Sequence, residues 1–455
     1  MNTERTVHII TYGCQMNLRD GEVAGDILES AGFTLSAEPS SADVIIVLTC
    51  AVREHASVRA LGRIKDLSRH LRTNPHLLLA MGGCLAQTEV ERIRREAPFV
   101  GLIFGTGQLP DLPRLIEQAL NTEETVLATE IAENSFHLPP TTGRRRGAVN
   151  CFIAIMRGCN NHCSYCIVPA ARGPEHYRPA QEIIAEAENL VQDGFKQVTL
   201  IGQNVNAWSD GGLSFAELLR QTARRSGVPR LRFVTSHPRS LNDELIEVMA
   251  DEKNICSSLH LPLQSGSNKI LQAMGRGYTA EEYLLLVRRL QKAIPNITLT
   301  TDLMVGFPQE NEQDFSDTLR MVQEVPFDGA FTFKYSPRKG TRATEISEIL
   351  SEAEKVERLQ ALIAKTQEVG LRQNQKRLGV RYLALIEGAD RRGGSLGRLE
   401  SNHPIIIAEK LPPGTFVEVV VTGVTAWTLR GKPAEENSSE EIIALHTQTP
   451  KAQHG

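Results

Sequence analysis

Eight cysteines are spread along 455 residues, and six of them stand where chemistry could use them. Cys159, Cys163 and Cys166 lie in GCNNHCSYC, a C-x3-C-x2-C run on one short segment. Three thiolates at that spacing can each take one iron of a cubane cluster, leaving the fourth iron open to a non-protein ligand. A zinc ion would want a fourth protein ligand, and His162, adjacent to Cys163, is badly placed to complete a tetrahedron. Three buried free thiols are the structural alternative, and this spacing argues against them.

Cys14, Cys50 and Cys84 are far apart in sequence, in TYGCQMN, LTCAVREHA and GGCLAQ. Taken singly, each reads as a small core residue. Each, however, follows a short apolar run that reads as a strand, at 7–12, 44–48 and 77–81. The carboxyl ends of adjacent parallel strands lie within several ångströms of one another, so these three can converge at one sheet edge as a second triad. Cys151 and Cys256 sit inside strand-like runs with no cysteine companion and read as buried structural thiols.

The elements that must position these residues alternate in type, which predicts an α/β protein. Apolar runs at 7–12, 44–48, 77–81 and 102–104 alternate with helical spacing at 18–31, 52–72 and 86–97. That pattern predicts a doubly wound parallel-sheet domain over 1–119. A connector follows at 120–147, where Arg144, Arg145 and Arg146 read as a solvated linker or as a phosphate contact. From 148 to 379, strand runs at 151–156, 197–201, 231–234, 258–261, 298–305 and 330–335 are separated by helical stretches, among them 180–193, 240–250, 279–293 and 310–324, and 350–378 closes the series. Six such units predict a partial TIM-type barrel with chemistry at the carboxyl ends of its strands. Short β-rich segments at 382–386, 394–399, 405–408 and 416–422 predict a small antiparallel barrel over 380–445, before a frayed tail at 446–455.

Composition sets outer limits. Hydrophobic residues at 41% and charged residues at 23% exclude a largely disordered chain, and aromatics at 5% leave the cores to aliphatic side chains. A net charge of −4 argues against capture of nucleic acid by the whole surface but permits a local basic groove. No stretch approaches the roughly 20 apolar residues of a membrane helix. The amino terminus lacks the pattern of a signal peptide, so a cytoplasmic protein with no membrane partner is expected.

C-x3-C-x2-C with an aromatic residue before its last cysteine resembles the signature of the radical S-adenosylmethionine superfamily. Across nearly the whole chain, YGCQMN (12–17), TCAVREHA (49–56), GGCLAQ (82–87), GCNNHCSYCIVP (158–169), GQNVNAW (202–208), HLPLQSGS (260–267), DLMVGFPQE (302–310) and YSPRKGT (335–341) resemble the radical S-adenosylmethionine methylthiotransferases. The carboxy-terminal segment resembles a TRAM barrel, an RNA-binding module, with Gly397 and Arg398 in a recurring pattern. Gln15, Met16 and Asn17 resemble the branch that acts on N6-dimethylallyladenosine in tRNA; other branches act on a different tRNA adenosine or on a ribosomal-protein aspartate.

The resemblance implies two 4Fe–4S clusters. Cys159, Cys163 and Cys166 would hold the one that cleaves S-adenosyl-L-methionine to a 5′-deoxyadenosyl radical. Cys14, Cys50 and Cys84 would hold an auxiliary cluster that carries or donates sulfur. One molecule of the cofactor methylates that sulfur; a second yields the radical that takes hydrogen from C2 of the adenine, where CH3S is installed. The implied partners are the tRNA anticodon loop, an electron-donor protein and a source of sulfur. Tyr165, by the same resemblance, lies where an aromatic ring packs near the cofactor's adenine.

Other residues are read from their positions. Gln203, Asn204 and Asn206 follow a barrel strand, where amides can bond a carboxylate and ribose hydroxyls without adding a titrating charge. Gln264 and Ser265 follow another strand and His237 a third, so all should face the cofactor cavity. Asp302 lies inside an apolar run, where an unpaired carboxylate is costly; it reads as a cofactor or substrate anchor, or else as a strand-end ion pair. Arg172 is expected near either cluster or a substrate phosphate. Leu48, Pro174 and Tyr177 depart from the family's usual asparagine, basic residue and serine, while all six cysteines are intact. Two other readings stay open: methylthiolation of another tRNA adenosine or of a protein side chain, and a non-catalytic iron–sulfur protein that binds RNA.

Overall fold

The computed structural model describes residues 5–52, 54–131 and 149–434. The connector from 132 on, with Arg144, Arg145 and Arg146, and everything after 434, including the tail at 446–455, lie outside the described residues.

Thr6–Thr11, Val44–Thr49, Leu78–Gly83 and Leu102–Phe104 form parallel strands on the predicted apolar runs. Thr34–Leu35 and Val126–Ala128 extend the sheet at its two edges. The sheet therefore runs past residue 119, where the composition had placed the domain's end. Val126–Ala128 is half-exposed and set in the polar stretch NTEETVLATE, so it lacks the apolar run that marks Leu102–Phe104. Both faces are covered: Val44, Ile46 and Leu48 pack with Val23 and Leu28 of helix Gln15–Ser30, while Ile45 and Val47 pack with Leu61 and Ile64 of helix Glu54–Leu67. Strand 6–11 lies between 34–35 and 44–49, so the winding reverses beside it. Such a switch point opens a crevice at the carboxyl ends of the strands.

In the central domain, Asn150–Ala154, Gln197–Ile201 and Arg230–Phe233 pair in parallel, as do Ser258–His260, Thr298–Val305 and Gly329–Lys334. A parallel bridge between Leu231 and Ile255 joins the two halves. Six strands thus run in sequence order, and among the described residues the outermost two do not meet. This is an open barrel. Along Thr298–Val305, Thr300, Asp302 and Met304 face the partly accessible lumen, while their neighbours are buried under the helices. Helices Ala280–Ala293, Glu312–Glu324 and Glu352–Gln375 each begin with a capping box, on Thr279, Asn311 and Ser351.

Arg381–Ala389, Ser395–Leu399, Pro404–Ile407, Phe416–Val424 and Leu429–Pro433 close a small barrel. Four of its ladders are antiparallel as expected, but Pro404–Ile407 and Leu429–Pro433 run parallel. The reason is topological: an odd number of strands cannot close with every neighbour antiparallel. This barrel sits on the amino-terminal ends of the central strands. Arg230 donates to Arg398 O and Leu383 O, each at 2.7 Å, and Arg232 to Leu399 O at 2.8 Å. Burial of both guanidiniums pulls their pKa values down from the ordinary arginine range. Replacing both arginines by alanine removes three hydrogen bonds from charged donors across a packed junction, at about 1.5–3 kcal/mol each. The expected outcome is a lower denaturant midpoint, with earlier proteolytic release of the small barrel.

Candidate active site

Cys14, Cys50 and Cys84 come together at the crevice of the first sheet. Gly13 and Gly83 adopt left-handed backbone, with φ 125° and 95°. A Cβ on Gly13 would collide with that of Cys50, and one on Gly83 would stand 2.5 Å from Thr49 O, so glycine is required at both turns. The Cys14 and Cys50 thiols share a hydrogen bond. That bond, helped by the Arg172 guanidinium and opposed by burial, draws Cys14 down to about 6, whereas the same bond and burial push Cys50 up. Burial raises Cys84, with Arg172 opposing it.

Arg172 belongs to helix Val168–Arg172, which starts just after Cys166. It is buried between the domains, with Nη2 2.7 Å from Asp20 Oδ2 and 3.2 Å from Asn17 Oδ1. Of the sites open to it in sequence, the structure places it beside the first triad. Ile167 and Ala171 pack on Ala51 and Cys84, and Thr106 Oγ1 donates to Ala171 O at 2.9 Å. Cys14 and Met16 in turn pack on Ala154 and Ile201 at the carboxyl ends of barrel strands.

The second triad rides on the loop after Met156–Arg157. Gly158, at φ 82°, donates its N–H to Gln203 Oε1 at 2.6 Å, and a Cβ there would collide with Pro174 O. Cys159 N–H reaches Gly173 O at 3.2 Å, and Cys166 N–H reaches Cys163 O at 3.1 Å. Two side-chain donors meet the sulfurs: Asn161 Nδ2 at 3.6 Å from Cys159 Sγ, and Arg276 Nη1 at 3.4 Å from Cys163 Sγ. Arg276 was not singled out from sequence, because an arginine between two glycines carries no chemical signal until the fold sets it against the cysteine loop. Burial pushes Cys166 up to about 12 and raises Cys159.

These thiols fit iron. Metal binding displaces the protons that burial retains, and N–H donors stabilise the resulting sulfur charge. Among the described residues no three His, Cys, Asp or Glu side chains are gathered for a single metal ion. A cubane asks for a wider triad, since each thiolate meets a different iron.

Around this loop, the Tyr165 ring packs edge-on to Phe307 at 6.5 Å. Asn204 donates to Glu175 at 3.2 Å, while its buried Oδ1 has no partner among the described residues. Asn206 and the His237 backbone exchange two bonds of 2.9 Å, which ties adjacent strand-end loops together. Burial, with Arg276 and Arg239 nearby, draws His237 down to about 3, so its ring is neutral near pH 7. Gln264, at φ 73°, donates its N–H to Asp302 O at 2.8 Å. Asp302 faces the lumen, with Oδ2 3.5 Å from His260 Nε2. Ser265 does not join them. Its hydroxyl is fully buried, 3.3 Å from Thr318 Oγ1 of an outer helix, and accepts the Ser267 N–H. Position after a strand does not reveal which way so short a side chain turns. Of the departures from the family pattern, Leu48 is core, while Pro174 and Tyr177 support the second cysteine loop, Tyr177 OH donating to Glu175 at 2.5 Å.

Residues 153–322 match the Radical SAM superfamily, 6–105 match Uncharacterized protein family UPF0004, and 375–434 match the TRAM domain. Among solved structures, the radical S-adenosylmethionine methyltransferase TsrM from Kitasatospora setae, with cobalamin and a [4Fe-4S] cluster bound, is similar with a TM-score of 0.55 at 16% identity, over 73% of this chain and 75% of that one. The cobalamin-dependent radical enzyme OxsB gives 0.53 at 13%, over 78% and 56%. Fold and sequence match together define a radical S-adenosylmethionine enzyme, with S-adenosylmethionine and 4Fe–4S as its cofactors. The tRNA-2-methylthio-N(6)-dimethylallyladenosine synthase of Caldicellulosiruptor saccharolyticus is 45% identical over 88% of this chain and 86% of its own length. That of Carboxydothermus hydrogenoformans is 42% identical over 94% and 99%. The chain belongs to this synthase family.

Arg172→Met leaves Asp20 without its buried cation, and the loss should be about 3–5 kcal/mol of stability. Combining it with Asp20→Asn should recover part of that, as read in denaturant unfolding of the single and double variants.

Proposed function

We propose that this enzyme converts N6-dimethylallyladenosine beside the anticodon of tRNA into its 2-methylthio derivative, using two molecules of S-adenosylmethionine. One observation carries the reading: the helix that starts after Cys166 ends with Arg172 beside Cys14 and Cys84, so two thiol triads flank one interdomain space. When bound, the two clusters and the cofactor supply the radical that removes hydrogen from C2 and the methylated sulfur that takes its place.

The chain's own residues divide the remaining work. Cys159, Cys163 and Cys166 hold one cluster, with Asn161 and Arg276 donating to the sulfurs. Cys14, Cys50 and Cys84 hold the auxiliary one. Gln203 fixes the cysteine loop through Gly158, and Asn206 fixes the His237 loop beside it. The free Oδ1 of Asn204 accepts from a cofactor hydroxyl or ammonium, Tyr165 packs at its adenine, and neutral His237 and Gln264 line the same cavity. Asp302, paired with His260 in the lumen, anchors substrate or cofactor. An anticodon loop suits such a site because its bases are already unstacked, whereas a duplex base would first have to be flipped. An electron-donor protein completes the reaction in the cytoplasm; among the described residues no helix is long and apolar enough to cross a membrane.

Replacing Cys14, Cys50 and Cys84 together by alanine should leave reductive cleavage to 5′-deoxyadenosine intact and abolish CH3S transfer. Replacing Cys159, Cys163 and Cys166 should abolish both. Each variant should retain about four irons of a wild-type complement of about eight. Methylthiolated nucleoside made by the first variant would overturn the sulfur-transfer role of that triad.

A further inference from the structure

The turn between the last two strands of the small barrel reaches the floor of the central one. Thr425 Oγ1 accepts the N–H groups of Trp427 and Thr428 at 3.2 and 2.9 Å, and Asn374 Nδ2 donates to Thr425 O at 2.9 Å. The turn is thereby clamped to helix Glu352–Gln375, where Gly370 lets it approach: a Cβ there would stand 3.2 Å from Ala426 O. The Trp427 indole lies against Gly329, the first residue of the barrel's open edge strand, where a Cβ would stand 3.1 Å from Cζ3. In register, Gly329 pairs with Thr300 and Phe331 with Asp302, so these positions share the lumen face. The Phe331 ring comes next, 6.5 Å from the Trp427 ring and tilted 36° to it, with His260 a further 5.9 Å away.

Trp427 is 44% exposed and Phe331 48%, in a chain poor in aromatic residues. A lone exposed ring would be ordinary. Here two rings sit side by side at an open edge, and a glycine and a clamped turn fix one of them in place. Arg430 and Lys432 point outward along the strand that follows, and among the described residues neither is in a salt bridge. Fixed aromatic faces with cations alongside are the means by which proteins hold single-stranded nucleic acid: bases stack while phosphates meet the charges.

We propose that Trp427 and Phe331 stack an unpaired base of the RNA substrate, with Arg430 and Lys432 on the flanking phosphates. The stacked base is not the one that reacts. Gly329 and Lys334 lie at opposite ends of the edge strand, about 17 Å apart at the usual rise, and the thiol triads gather at the Lys334 end. The inference rests on RNA being the substrate.

Tryptophan emission tests it, because the chain has two tryptophans and Trp208 is a built-in control. Trp208 is 1% exposed, with its Nε1 bonded to Arg178 O at 3.0 Å. The full-length, cluster-loaded enzyme is titrated with a synthetic anticodon stem-loop carrying N6-dimethylallyladenosine, following emission and RNA anisotropy. Saturable quenching is expected in the wild type and not in Trp427→Phe, whose affinity should stay within about threefold because phenyl also stacks. Trp427→Leu covers Gly329 without a π face, and it should weaken binding about fivefold or more, as should Phe331→Leu. If wild type methylthiolates this RNA, yet its emission is unchanged and Trp427→Leu binds as tightly, the stacking site is wrong and the reaction stands. If binding quenches and depends on both rings while no product forms, the site stands and the reaction is wrong.

Discussion

The buried pair between Arg172 and Asp20 sets the relation between the two cysteine triads. Asp20 lies six residues after Cys14, and Arg172 lies six residues after Cys166. One charged contact of 2.7 Å therefore fixes how far apart the two cysteine loops stand. A buried ion pair is weak evidence of net stability, but it is demanding of geometry, because neither charge tolerates losing the other. A second buried network reinforces it, in which Glu186 accepts Arg19 at 3.2 Å and Arg178 at 2.7 Å. Arg19 comes from the first domain; Arg178 and Glu186 come from the barrel. The domains are thus held by directional contacts as well as by apolar packing.

Strand polarity then allocates the remaining surfaces. In both parallel sheets the carboxyl ends carry the cysteines and the polar loops, and these two edges face each other. The amino ends of the barrel strands are left to the small barrel, through Arg230, Arg232 and the contact of Arg377 with Asp328 at 2.5 Å. Chemistry and docking therefore occupy opposite ends of the same six strands. The lumen between them is lined along Thr298–Val305 by Thr300, Asp302 and Met304.

Much of this was legible in sequence because its signals are local. Apolar runs gave Gln197–Ile201 and Thr298–Val305 to the residue, and C-x3-C-x2-C needs no tertiary information to be read. The first triad was legible only through the shared position of its cysteines after strands. What escaped depends on distant partners. Helix Phe215–Ser226 was not marked out in a polar stretch rich in arginine, Arg276 acquires its role only beside Cys163, and Ser265 turns toward Thr318. Trp427 carries no signal in sequence, because the Gly329 against which its indole lies is far away along the chain.

The two triads differ in how the chain builds them. Cys159, Cys163 and Cys166 fall within eight residues, so the loop that gathers them closes at little entropic cost. Cys14, Cys50 and Cys84 follow three separate strands and converge only once the first sheet has paired in its native order. Non-local contacts of that kind form late, after the strand pairing that creates them. Assembly of the enzyme therefore has a built-in sequence. The compact triad can gather in a nascent or partly unfolded chain, but the dispersed one exists only in a folded first domain, which makes its geometry a report on folding.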